Sequence, residues 1–167
     1  MDMEERGHSE HPEALRLWLR LLTCTQLVEK QVRTQLREQF DTTLPRFDLM
    51  AQLERNPDGL KMNELSRRMM VTGGNVTGIT DQLVAEGLVE RMEVDGDRRA
   101  YRVRLTPRGH TVFGEMARQH EAWIVAAFEA LSPREVESLY KLLGKVKQSQ
   151  QDLKSIGAGL PNNLETA

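Results

Sequence analysis

The 167-residue chain has one cysteine, few aromatic residues and no long apolar run. A single cysteine, Cys24, excludes an intrachain disulfide and fits a reducing compartment. No segment approaches the roughly 18 consecutive apolar residues of a membrane-spanning helix, and the polar stretch 1–10 does not resemble a signal peptide. We therefore expect a cytoplasmic protein with no membrane partner, long enough to bury a core of its own.

Neither sign of charge dominates the chain, which has 23 basic and 25 acidic residues and a net charge of −2. By composition it is an unpromising nucleic-acid binder, because phosphate contacts dominate affinity for nucleic acids. The balance turns locally positive in segment 88–110, where six arginines accompany four acidic residues. A nucleic-acid function must therefore rest on the arrangement of the chain more than on its net charge.

Segment 60–106 has the pattern of a winged helix-turn-helix. Two short stretches with helical spacing of apolar residues, 62–70 and 73–86, adjoin a glycine-rich break. Two alternating runs around a polar tip at 95–99 follow, as in a β-hairpin. We predict a mainly α-helical protein: a winged helix-turn-helix with a two-stranded β-wing and long N- and C-terminal dimerisation helices.

Helical stripes of apolar residues flank this segment on both sides. The stripe at 12–40 is apolar nearly all round in its first half, so we expect a second subunit to cover that half. Thr106-Pro107 and the capping box Ser132-Pro133-Arg134-Glu135 begin the last two helices. The predicted organisation is a disordered tail at 1–11, a dimerisation helix at 12–43, the winged helix-turn-helix domain at 44–106, dimerisation helices at 107–154 and a flexible tail at 155–167.

Such a fold places its second short helix in the major groove of DNA and a basic loop beside it. Small residues at the start of that helix let its backbone approach the groove, and the amides of Asn75 and Gln82 can read adenine edges. Arg99 is the candidate for minor-groove insertion, with Asp97 bracing its guanidinium. The predicted DNA-binding residues are Arg67, Arg68, Thr72, Gly73, Gly74, Asn75, Thr77, Gly78, Gln82, Asp97, Arg98 and Arg99.

These features also have plainer interpretations. The glycines can simply shape a turn, and the arginines of the tip can simply be solvated. The alternative function is a winged-helix module whose wing contacts protein. Salt-sensitive DNA binding that is lost in Arg99→Ala would exclude this alternative. Neither an enzyme, a cofactor nor a metal site is expected, because no nucleophile–base set or phosphate loop is evident and His110 and His120 are ten residues apart.

Several strings of the chain match one family. The strings at 65–69, 76–78, 83–89, 95–99 and 105–109 resemble those of MarR-type transcriptional regulators, and the resemblance covers nearly the whole chain. Its combination of Gly-Leu-Val, Asp-Arg-Arg and Leu-Thr is more specific than the helix-turn-helix alone. The resemblance implies an obligate homodimer, joined by its first and last two helices, on a pseudo-palindromic double-stranded DNA operator. Two-fold geometry then puts the half-sites about one helical turn apart, roughly 34–36 Å.

The resemblance also implies an effector cleft between the dimerisation helices and the winged module. The stretch 44–48 and the Gly-Gly-Asn turn resemble the branch that answers aromatic acids or hydroxycinnamoyl-CoA thioesters. We therefore expect a repressor of an aromatic-compound catabolic operon that a small aromatic acid or its acyl-CoA thioester releases. The alternative for the apolar residues among the cleft candidates is that they belong to the hydrophobic core, as most apolar stripes at helical spacing do. The residues expected to line the cleft are Trp18, Arg46, Phe47, Met50, Phe113, Met116, His120 and Trp123.

Cys24 has two interpretations. A reactive thiol needs exposure and a cationic neighbourhood, and Cys24 lies on an apolar stripe with no second cysteine to resolve its oxidation. Because free cysteine is among the most buried residue types, we favour a core position. A repressor that senses oxidants through Cys24, as some relatives of the resembled family do, is the alternative.

Overall fold

The computed structural model describes residues 11–70, 75–94 and 96–157, and at 97–100 and 154–157 the description is of the backbone alone. This part of the chain forms six α-helices and three β-strands. The chain divides into two compact units, and the boundary between them follows Ile124. In chain order the elements are α1 (Pro12–Phe40), α2 (Leu44–Glu54), β1 (Leu60–Lys61), α3 (Met62–Arg68), α4 (Val76–Ala85), β2 (Val89–Val94), β3 (Asp97–Leu105), α5 (Pro107–Ala127) and α6 (Pro133–Gly157).

The junction of α1 and α2 is specified locally by its sequence. Asp41 ends α1 with a left-handed backbone, φ 48°, and donates its N–H to the Arg37 carbonyl at 3.1 Å. Thr43 begins α2 by accepting a hydrogen bond from the backbone N–H of Arg46 at 3.4 Å. Pro45 occupies the first turn of α2, where a missing N–H leaves no bond unmade. Helix α1 thus covers the helical stripe that was predicted at 12–40.

Helix α2 is the centre of the core of the first unit. Its residues Leu49, Met50 and Leu53 are almost completely buried, and burial of a side chain of this size contributes about 1.5–3 kcal/mol. Apolar residues from α1, α3, α4, the sheet and α5 complete one continuous cluster. The other buried members are Val32, Leu36, Leu44, Phe47, Leu60, Leu65, Leu83, Leu88, Val89, Val103, Leu105, Phe113, Met116 and Trp123.

The strands form one antiparallel sheet in the order β1-β3-β2. The predicted two-stranded wing is confirmed as the hairpin of β2 and β3, and β1 adds a third strand that was not predicted, pairing with β3 through Leu60 and Val103. A strand of two residues is too short to show an alternating pattern. Gly59 makes the preceding turn with φ +81°, and a Cβ there would lie 2.9 Å from the Val103 carbonyl oxygen, so glycine is required.

The hairpin of β2 and β3 has a shorter tip than predicted. Strand β3 begins at Asp97, inside the predicted tip, so only residues 95–96 connect the strands. Glu93 pairs with Tyr101 whereas Val94 pairs with Asp97, so residues 98–100 form a bulge on β3. A bulge interrupts the alternation of inward and outward side chains by which a strand is predicted, so the start of β3 was predicted as part of the loop.

Helix α4 begins later than the predicted start near residue 73. Asn75 has an extended backbone and is the N-cap of α4, since its Oδ1 accepts a hydrogen bond from the Gly78 N–H at 3.2 Å. The helix then ends at Ala85, and Gly87 follows with φ +73°. The helix begins later than predicted because Asn75 is its N-cap, and an N-cap residue has a non-helical backbone.

Much of the apolar surface of α1 is exposed. Only Val32 and Leu36 of this helix are buried, whereas Leu17 is 64% and Trp18 is 55% exposed. Cys24 is exposed too, so the expected core position was wrong for the single chain. The apolar stripe is present as predicted, but the part of the chain that the structure describes does not bury its first half.

Side-chain caps begin α5 and α6, as predicted. Thr106 Oγ1 accepts a hydrogen bond from the Gly109 N–H at 3.0 Å. Ser132 N–H donates to Glu135 Oε2 at 2.8 Å, and Ser132 Oγ accepts from the Glu135 N–H at 3.4 Å, which is the predicted capping box. Helix α6 continues to Gly157, and the predicted tails otherwise lie outside the described residues. None of the helices described is both long and apolar enough to cross a membrane.

Candidate nucleic-acid interface

Helix α4 has one buried face and one polar, exposed face. Thr80 and Leu83 are fully buried, while Thr77, Asp81 and Gln82 are exposed. The Thr80 hydroxyl donates to the Val76 carbonyl at 2.8 Å, so its burial leaves no donor unsatisfied. The helix therefore presents a row of polar side chains outward from a firmly packed base.

The first turn of α4 is arranged around Asn75. A Cβ at Gly78 would lie 3.3 Å from Asn75 Nδ2, so glycine gives the capping side chain its room. Asn75 Oδ1 is occupied by the Gly78 N–H, which leaves the amide NH₂ as the group to offer a ligand. Its predicted contact with DNA stays a prediction, and the free chain already uses half of the amide.

The arginines at the end of α3 differ in their surroundings. Arg68 donates to Asn56 Oδ1 at 2.9 Å, which ties it to the end of α2. Arg67 is exposed, and its side chain makes no hydrogen bond or ion pair with any described residue. Arg67 is thus the better placed of the two for a phosphate.

A buried carboxylate holds the chain just after α3, at Met70. Asp48 of α2 is 7% exposed, and its Oδ2 accepts a hydrogen bond from the Met70 N–H at 2.7 Å. Its Oδ1 accepts from Gln52 Nε2 at 3.3 Å. Sequence reasoning missed this role, although an acidic residue inside the apolar stretch Phe47–Met50 was a signal that could have found it.

The end of α4 is tied to the start of α2. Arg46 donates to both carboxylate oxygens of Glu86, at 2.9 and 2.5 Å, and to Gln82 Oε1 at 3.4 Å. These bonds hold the pKa of Glu86 below its usual value, even though partial burial acts in the opposite direction. Arg46 was predicted to pair with a ligand; in the free chain its partner is Glu86. Its Nε is buried with no hydrogen-bond partner among the described residues.

Four of the six arginines in segment 88–110 are engaged within the fold. Arg102 donates to the Gly59 carbonyl at 3.0 Å and Arg108 to the Glu86 carbonyl at 2.8 Å. Arg104 pairs with Glu90 at 2.6 Å, and Arg91 pairs with Asp81. Fewer arginines are therefore free to reach a phosphate than the residue count implies.

Three predicted DNA-binding residues, Thr72, Gly73 and Gly74, lie outside the described residues. The backbones of Asp97, Arg98 and Arg99 belong to β3, and their side chains lie outside the description. Both arginines fall within the bulge of β3. Their contacts with DNA stay predictions.

Four of the eight predicted effector residues meet in one aromatic cluster. The Phe47 ring stacks on Phe113 with centroids 5.4 Å apart and contacts the ring of His120 at 4.8 Å. Trp123 lies edge-on to His120 at 6.4 Å. Burial lowers the pKa of His120 from its usual value, so the ring favours its neutral form. Met50 and Met116 are buried in the same core, whereas Trp18 joins none of the ring contacts between described residues.

His110, the other histidine weighed as a metal ligand, is paired within the fold. His110 Nδ1 lies 2.6 Å from Glu54 Oε2. Within 11–70, 75–94 and 96–157, no group of three or more His, Cys, Asp or Glu side chains is placed to hold a metal ion.

Helix α2, the pair α3 and α4, and the hairpin of β2 and β3 together define a winged helix-turn-helix protein. A family model described as the MarR family matches residues 40–100. A MarR family transcriptional regulator from Silicibacter pomeroyi has a similar crystal structure, with a TM-score of 0.73 and 30% identity over 86% of this chain and 99% of that one. The chain belongs to the MarR family of transcriptional regulators.

Two further relatives extend the comparison. The transcriptional repressor MprA of Escherichia coli K12 is 33% identical over 97 residues, which are 56% of this chain and 55% of MprA. Sco3205, a MarR family regulator from Streptomyces coelicolor solved in complex with DNA, has a TM-score of 0.71 and 23% identity over 89% of this chain and 92% of its own. The Sco3205 likeness concerns the fold alone.

Proposed function

We propose that the protein is a homodimeric, ligand-responsive repressor that binds a pseudo-palindromic double-stranded DNA operator. The observation that carries the proposal is the exposed polar face of α4, whose opposite face is buried. Arg67, which precedes this helix, is exposed and pairs with no residue that the structure describes. Such a helix fits the major groove, and the arginine beside it suits a phosphate. The repressor function of MprA and the DNA complex of Sco3205 support the same function.

Exposed apolar residues support the dimer. Helix α1 exposes Leu17, Trp18 and Leu27 by more than half of their surface. Large exposed apolar areas mark interaction sites, because water contact with them is unfavourable. A second copy of the chain is the proposed cover. On α6 the exposed apolar residues are Val136, Leu139, Tyr140, Leu142, Leu143, Val146 and Leu153.

The aromatic cluster supports an aromatic effector, either a small aromatic acid or its acyl-CoA thioester. A ring that enters beside the half-buried His120 finds aromatic partners in Phe47 and Phe113. The carboxylate of an acid would compete with Glu86 for Arg46, the residue next to Phe47. Loss of the Arg46–Glu86 bonds would free the end of α4 and shift the dimer toward a form with wrongly spaced recognition helices.

DNA binding is tested by anisotropy titrations on sequences selected from fragmented genomic DNA. We expect nanomolar-range binding that weakens steeply with salt, and Arg67→Ala is expected to lower the slope of log K against log[salt] by about one. Arg33→Ala is the matched control, since Arg33 is already paired with Glu29 on α1 at 2.6 Å. Selection that recovers no DNA, or binding insensitive to salt, would reject the function.

The effector is tested on the same complex with para-hydroxycinnamate, its CoA thioester and phenol, which has the ring without the carboxyl group. Release by the acid alone or by the thioester alone identifies the form that binds. Release by neither compound, or release by phenol at the same concentration, contradicts the proposed role of Arg46.

A further inference from the structure

A carboxylate on the exposed face of α4 conflicts at first with a DNA-binding helix. The Asp81 side chain is 54% exposed and lies between Thr77 and Gln82 on that face. A phosphate brought close to it would be repelled. The structure resolves the conflict, because Arg91 of β2 donates a hydrogen bond to Asp81 Oδ1 and neutralises it.

Arg91 makes a second contact, with the other strand of the wing. Its Cζ lies 5.2 Å from the centroid of the Tyr101 ring on β3, within the range of a cation–π interaction. Tyr101 is half-buried, and its backbone pairs with Glu93 beside the bulge that holds residues 98–100. One guanidinium thus joins α4, β2 and β3 at the point where the regular pairing of the wing ends.

We propose that Arg91 is a positioning residue that fixes the orientation of the wing relative to α4 through Asp81 and Tyr101, and that it contacts no phosphate. This inference rests on the proposed DNA-binding function. A guanidinium already paired with a carboxylate carries no net charge with its partner, so it releases no counterions when DNA binds. Its flat face, which lysine lacks, suits the ring of Tyr101.

The opposite interpretation, that Arg91 is one of the phosphate contacts of the wing, makes opposite predictions. Removal of Arg91 would then lower the salt slope by about one. Removal of Asp81 would free the arginine for DNA and strengthen binding. A positioning role instead requires that both removals weaken binding, because either one breaks the link between helix and wing.

The experiment measures affinity for the selected DNA across a salt series for Arg91→Ala, Asp81→Ala and Tyr101→Leu. We expect Arg91→Ala, which loses both contacts, to bind about three- to thirtyfold more weakly, and Asp81→Ala and Tyr101→Leu, which lose one contact each, to bind up to about fivefold more weakly. The salt slope is expected to stay unchanged in all three variants. Tyr101→Phe keeps the ring and is expected to bind like the wild type. Arg67→Ala serves as the phosphate-contact reference.

A double variant separates the link from general damage to the fold. Arg91→Ala combined with Tyr101→Leu is expected to bind like Arg91→Ala alone, because the contact that Tyr101→Leu removes is already lost when Arg91 is absent. Additive losses would overturn the proposal, as would a lower slope in Arg91→Ala or tighter binding in Asp81→Ala. Wild-type protein that binds no DNA rejects the proposed function itself, which is a different outcome.

Discussion

The close approach of α5 to the corner between α4 and β2 makes Gly109 the most restrictive glycine in the described chain. A Cβ at this position would lie 2.0 Å from the Leu88 carbonyl oxygen and 3.0 Å from the Leu88 carbonyl carbon. The Leu88 backbone cannot rotate away as the end of a side chain can, so a Cβ at residue 109 would force the start of α5 to move. Overpacking of this kind costs up to about 3 kcal/mol, and the better helix propensity of alanine offsets about 1 kcal/mol.

Gly109→Ala is therefore expected to destabilise the protein by about 2 kcal/mol. For a chain of this length that lowers Tm by about 4–8 °C in a thermal melt. Gly114→Ala is the matched control on the same helix, where a Cβ would meet nothing within 4 Å. We expect it to raise Tm by about 2–4 °C. Melts at equal protein concentration avoid the dependence of Tm on dimerisation. Equal Tm values for the two variants would refute the packing argument.

Three further perturbations test the contacts around the site. Glu86 has a lowered pKa, so it stabilises the fold above its unfolded-state value of about 4.5, and this contribution is lost as the pH falls through the folded value. The measurement is urea unfolding of Glu86→Gln and the wild type at about pH 7 and about pH 3. The variant should lose less stability on acidification than the wild type, and the difference should be at most about 1 kcal/mol because Glu86 is half exposed. Identical losses in the two proteins would contradict the Arg46–Glu86 bond. Asp48→Ala removes the charged acceptor of the Met70 N–H and should cost about 1.5–3 kcal/mol, the contribution of a hydrogen bond to a charged group, together with a loss of DNA affinity. Unfolding free energy equal to that of the wild type would show that the carboxylate does not hold the chain at Met70. Ser132→Ala removes the cap of α6 and should cost about 1 kcal/mol in the same assay, and an unchanged value would argue against the capping box.

Local signals in the sequence account for the parts of the fold that were predicted well. Thr106 with Gly109 and Ser132 with Glu135 act over three residues, so the caps of α5 and α6 are readable in the chain itself. Strand β1 has only two residues and forms only by pairing with β3, so no local pattern in the sequence predicts it. The bulge at 98–100 likewise arises from pairing with β2.

The pairings that shape the site act over longer distances along the chain. Arg46 and Glu86 are 40 residues apart, and Asp48 and Met70 are 22 residues apart. Periodicity predicts which face of a helix is buried, but it carries no information on which charged side chains meet. Counting arginines in 88–110 therefore overstated how many of them are free to contact DNA. The exposure of Cys24 has a related cause, since one chain alone leaves the first half of α1 uncovered.

The most direct test of the central proposal combines footprinting on selected DNA with measurement of the mass of the complex in solution. The account predicts two chains on one duplex and two protected half-sites on the same face, about one helical turn apart. It also predicts that bases in the two major grooves facing α4 are protected from modification. A single chain on the duplex, or a protected site without two-fold symmetry, would contradict it.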